Sequence, residues 1–71
     1  MPLKIGDTYK LEYRYFRPFS GRLADVRGPF NGIMQYKFDL GASTSVIITE
    51  NGHDFFCITG GTKLPVTVQA I

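Results

Sequence analysis

In TYKLEYRYF (8–16) every second residue is apolar: Tyr9, Leu11, Tyr13 and Tyr15 fall on one face of an extended chain, Lys10, Glu12 and Arg14 on the other. Side chains alternate across a strand with a period of two, whereas a helix needs apolar residues three and four apart. IMQYKFDL (33–40) repeats the pattern, with Met34, Tyr36, Phe38 and Leu40 inside and Gln35, Lys37 and Asp39 outside. LPVTVQAI (64–71) puts Leu64, Val66, Val68 and Ala70 on one face. Pro65 has no N–H to give to a ladder, so it is expected at a strand start or on an edge. Helical periodicity is absent beyond a single turn, and the fold class is all-β.

SVIITENGHDFFCIT (45–59) consists of two β-rich runs around Asn51-Gly52, the dipeptide favoured in a type I′ hairpin turn because both residues accept positive φ. A two-residue loop at Asn51-Gly52 sets Glu50 against His53, Thr49 against Asp54, Ile48 against Phe55, Ile47 against Phe56 and Val46 against Cys57. One face then carries Val46, Ile48, Phe55 and Cys57, and the other Ile47, Phe56 and Ile58 beside Thr49 and Asp54. Only one of these faces can look into a thin core. Ile47, Phe56 and Ile58 are therefore expected to form a covered interface, with a second copy of the chain as the expected cover and a symmetric homodimer or higher homo-oligomer as the result.

At 71 residues the chain is expected to be one small β-barrel domain, 1–71, with little core to spare. The single cysteine, Cys57 in FFCI, permits no disulfide within the chain and reads as a small buried hydrophobe. Cys57 and His53 cannot supply four zinc ligands, and no metal or cofactor is expected. MPLKIGDTYK holds no apolar run of signal-peptide type, and no run is long enough to span a bilayer. With the unpaired cysteine, this leads to the expectation of a cytoplasmic protein without membrane contact.

Residues 17–31 read as a long connection anchored by Phe19, Leu23 and Val26, with FSGRLADV as a short strand within it and GPFNG (28–32) as a turn. The order is then strand, long excursion, strand, GAST link, strand, tight turn, strand, GGT link, strand. That pattern of lengths resembles an SH3-like small barrel of five to six antiparallel strands, with Sm-like or OB-like variants of the same architecture as alternatives. SH3 domains carry an ALYDY stretch and a groove tryptophan for proline-rich peptides; this chain has no tryptophan and reads YKLEYRYF in its first strand. An Sm-like pairing would use FSGRLADV as its second strand, but ITGG (58–61) departs from the Ile-Arg-Gly with which Sm proteins hold RNA bases.

All four arginines, Arg14, Arg17, Arg22 and Arg27, lie within residues 13–30. By alternation Lys10, Arg14 and Phe16 share the outer face of the first strand, and Lys37 extends the patch from a neighbour. Cations that track phosphate beside rings that stack on bases are what single-stranded nucleic acid or a nucleotide requires. The net charge is only +2, so such binding must rest on local clustering. The leading expectation is a non-catalytic module that recognises nucleic acid or a nucleotide-like anion through Lys10, Arg14, Phe16, Arg17, Arg22, Arg27 and Lys37. Arginine and aromatic residues are equally the enriched types at protein interfaces, so a regulator or inhibitor docked on a larger host protein is the alternative. A distant third is an enzyme in which Glu50 orients His53 as a base. GGTK (60–63) lacks phosphate-loop spacing and reads as a turn.

Overall fold

The computed structural model describes residues 3–13, 17–59 and 61–71, with Thr59 described by its backbone alone. Within them the chain forms β1 (Thr8–Tyr13), β2 (Phe19–Phe30), β3 (Ile33–Gly41), β4 (Thr44–Asn51), β5 (Asp54–Thr59) and β6 (Thr62–Ala70). Each strand pairs antiparallel with the next, and β6 returns to pair with β1, from Tyr9↔Ala70 to Tyr13↔Val66. The result is an all-β closed barrel of six strands in simple meander order. Closure pairs the first strand with the last, so neither β1 nor β6 is left as a free outer edge.

The alternating residues fill the interior as the sequence requires. Tyr9 and Leu11 of β1, Tyr36 and Phe38 of β3, Ile48 of β4, Cys57 of β5 and Val66 of β6 are buried in one cluster with Leu23 of β2. A barrel of so few strands is filled by its own side chains. The ring of Phe38 meets Tyr9 edge-on, with centroids 6.0 Å apart and planes at 81°. Gly21 lies opposite Tyr9 in the β1–β2 ladder. A Cβ at that position would stand 3.0 Å from Phe38 Cβ and 3.0 Å from Leu40 Cδ2, so the missing side chain is what admits these neighbours.

Residues 17–31 are not the irregular excursion expected from their glycines and prolines. They contain β2, the longest strand of the barrel, at 12 residues. The ladder to β3 shifts register twice, between Leu23 and Asp25 and between Arg27 and Phe30. A bulge of this kind adds one residue to one strand and reverses the facing of everything beyond it. Leu23 and Val26, three apart, can therefore both serve the interior. Gly28, at φ 111° in the second shift, occupies a conformation that side chains rarely adopt.

The hairpin after β4 also departs from expectation. Its ladder reads Asn51↔Asp54, Glu50↔Phe55 and Thr49↔Phe56, so Gly52 and His53 form the two-residue loop. Gly52 holds φ 66°, and His53 is not in the positive-φ region. Positive φ at the first loop residue alone is the type II′ pattern. The Asn-Gly turn with both residues at positive φ occurs instead at Asn31 (φ 52°) and Gly32 (φ 80°), between β2 and β3. Moving the loop by one residue changes the partners but not which face each side chain occupies, and the predicted faces survive the wrong pairing.

Pro65 sits inside β6, opposite Phe56, rather than at the strand start; it comes one residue before the Val66↔Tyr13 pair with β1.

Candidate binding surface

Of the basic and aromatic residues singled out in the sequence, Lys10, Arg22, Arg27 and Lys37 lie on outward faces of described strands. Arg14 and Phe16 lie outside the described residues. Arg17 is exposed in the link before β2. Lys10 lies opposite Ser20, and Arg22 opposite Thr8 on one side and Asp39 on the other. Lys37 lies opposite Asp25, and Arg27 opposite Gln35. The bulge after Leu23 turns Asp25 and Arg27 to the same outer side as Lys37. Lys10, Arg22, Arg27 and Lys37 thus share the outer surface of β1–β2–β3.

Carboxylates are interleaved among these cations. Lys10 Nζ is 3.1 Å from Glu12 Oε1, and Arg27 Nε donates to Asp25 Oδ2 at 3.2 Å. Asp25 Oδ1 accepts from its neighbour's amide, Val26 N, at 2.9 Å, and Asp39 Oδ1 accepts from Gly41 N at 2.9 Å. Exposed pairs of this kind are worth about 0–1 kcal/mol each. Even so, a polyanion must compete with a carboxylate at Lys10 and at Arg27.

A groove of about 480 Å³ runs along this surface between Arg27 and Lys37 on one side and Ser45 and Ile47 on the other. Ile47 is 47% exposed and Ile58 64% exposed. Phe56 is not left for another subunit to cover, because its own chain buries it to 9% exposure. Thr49 and Pro65 flank it across the two ladders. Lys63 reaches diagonally over the ring, its ammonium 4.2 Å from the centroid. Such a cation–π contact contributes roughly 0.5–1 kcal/mol at a surface and leaves the charge available. The Lys63–Phe56 contact was not legible in the sequence, where the two are seven residues apart on different runs. A second concavity of about 610 Å³ adjoins it, lined by His53, Phe56, Lys63, Pro65 and Thr67.

Glu50 does not face His53. It lies opposite Phe55 and accepts a hydrogen bond from Tyr36 Oη at 2.8 Å. Burial, then that hydrogen bond and the carboxylate charge, push the Tyr36 phenol up to about 12. The oriented Glu–His pair of the catalytic alternative therefore does not form, and His53 stands exposed at the turn. Burial chiefly, with the Cys57 thiol second, also raises Tyr13 above the ordinary tyrosine range. Among the described residues no three His, Cys, Asp or Glu side chains come together to hold a metal ion. In comparisons with protein-family models, curated proteins and solved structures, nothing matches this chain.

Proposed function

We propose that the chain is a non-catalytic module that docks on another protein through the outer surface of β4 and β5. The observation that carries this is the exposure of Ile47 and Ile58 on neighbouring strands, each beside an exposed lysine, Lys37 and Lys63 respectively. Single exposed isoleucines are ordinary, but an apolar pair rimmed by polar side chains has the composition of an interface centre. Burying one isoleucine fully is worth roughly 1.5–3 kcal/mol, enough for the two to dominate a small interface. The SH3-like reading of the barrel belongs to this proposal, on its meander order and its closure between first and last strands. The docking surface does not depend on it.

Nucleic-acid binding would instead use Lys10, Arg22, Arg27 and Lys37 on β1–β3, in competition with Glu12 and Asp25. Capture on the immobilised chain from nuclease-treated extract, washed at low and high salt, separates the two. Protein docking predicts a partner retained at high salt and lost with the Ile47→Asp, Ile58→Asp double variant, because apolar contacts respond little to salt. A complex lost on nuclease treatment, steeply weakened by salt and unaffected by that variant, would contradict it and favour nucleic acid.

A further inference from the structure

The ladder between β4 and β5 ends at Thr49↔Phe56, although β4 reaches back to Thr44 and β5 runs on to Thr59. Over the same stretch β4 keeps its partners on β3, through Ile48↔Tyr36, Ile47↔Lys37, Val46↔Phe38 and Ser45↔Asp39. β5 likewise keeps β6, through Cys57↔Leu64 and Ile58↔Lys63. The barrel therefore has a seam. Along it, no ladder pairing joins Thr44–Ile48 to Cys57–Thr59 among the described residues. Unpaired strand edges are templates for another strand.

The seam's outer rim has a definite chemistry. Ile47 and Ile58 stand exposed on its two sides, and one ladder step farther out are Lys37 and Lys63. Among the described residues neither lysine makes an ion pair; the pairs formed are Lys10–Glu12 and Arg27–Asp25. Asp25, across from Lys37, is already engaged by Arg27 Nε and the Val26 amide. The rim thus presents apolar surface between two uncompensated positive charges.

We propose that this seam receives an extended, acidic segment of the partner protein as an added β-strand. An apolar residue of that segment would sit between Ile47 and Ile58, with carboxylates two positions before and after it reaching Lys37 and Lys63. This deepens the docking reading above and rests on it. In strand addition the main-chain bonds supply affinity and alternate side chains supply specificity. A second copy of the chain is the poorer occupant, because none of Thr44–Ile48 or Cys57–Thr59 is acidic. Its edge would bring no carboxylate to the two lysines.

The probe is a blocked nonapeptide, Thr-Thr-Glu-Thr-Val-Thr-Glu-Thr-Thr, titrated into isotopically labelled chain and compared with its counterpart carrying Lys in place of both Glu. The expected result is amide shifts confined to residues 44–48 and 57–59, with a preference for the Glu peptide of roughly tenfold, the sum of two surface charge pairs gained against two like-charge contacts. N-methylation of alternate residues along one edge of the peptide should abolish binding. Lys37→Glu with Lys63→Glu, checked by circular dichroism for an intact fold, should reverse the preference. Shifts elsewhere, equal binding of both peptides, or no reversal would overturn the proposal. So would a chain that sediments as a dimer and becomes monomeric with Ile58→Asp, since the seam would then belong to a second copy. If the charge-reversed variant still captures a partner that the Ile47→Asp, Ile58→Asp variant loses, docking stands and the acidic strand falls.

Discussion

Phe38→Ala is expected to remove roughly a third or more of the chain's stability. Phe38 has no exposed surface, packs edge-on against Tyr9 and lies opposite Leu23 on one side and Val46 on the other. Phenylalanine-to-alanine changes in cores cost roughly 3–5 kcal/mol, because the cavity collapses only in part. A 71-residue domain at about 0.05–0.15 kcal/mol per residue has only about 4–11 kcal/mol to lose. The ring also touches the strands on both sides of β3, so no single neighbour can relax into the space. Urea unfolding followed by circular dichroism should show a midpoint moved toward zero denaturant by about 1 M or more. A midpoint within a few tenths molar of the unchanged chain would mean that Phe38 is not the centre of this core.

Gly21→Val tests the same core from the opposite side. A Cβ at Gly21 would already lie 3.0 Å from Phe38 Cβ, a position fixed by the β3 backbone, and 3.3 Å from Leu11 Cδ1. Two further methyl groups have no free direction, and overpacking of this kind costs roughly 1–3 kcal/mol. For a domain of this size each kcal/mol moves Tm by about 4–8 °C. Ser20→Val, one residue earlier and outward on the same strand, is the control. It adds the same branched side chain to an exposed position and should leave Tm almost unchanged. Equal Tm for the two variants would contradict the close approach of β2 to β3 and β1.

Much of this core is legible in the sequence, since alternation in 8–13, 33–40 and 64–70 selects the inward side chains whatever the topology. β2 is not, for a definite reason. Its two register shifts break the period of two, so Leu23 and Val26 no longer match a strand template. Gly21, Gly28 and Pro29 also read as chain breakers, when Gly21 serves a close approach and Gly28 a bulge. The β4–β5 hairpin shows the opposite case. Loops at Asn51-Gly52 and at Gly52-His53 assign identical faces, so the hydrophobic pattern could not choose between them, and the Glu50–His53 pair was lost with the choice. On the candidate surface, Ile47 and Ile58 could be placed outward from pattern alone. The cover over Phe56 could not, because it comes from a lysine diagonal to it in the next ladder. The pairs Lys10–Glu12 and Arg27–Asp25 are a different matter: each joins residues two apart on one strand, so alternation alone puts both partners on one face.

The seam between β4 and β5 is the feature on which the strand-addition account turns, and amide hydrogen exchange of the free chain tests it most directly. Successive N–H groups of a strand point to opposite sides, so along Thr44–Ile48 every second amide faces β3 and the others face the seam. The account predicts alternating protection there: slow exchange for amides held by β3 and fast exchange for those between, with protection resuming on both sides from Thr49 to Asn51. Uniform slow exchange from Thr44 to Asn51 would show β5 paired along the whole of β4, leaving no place for an incoming strand.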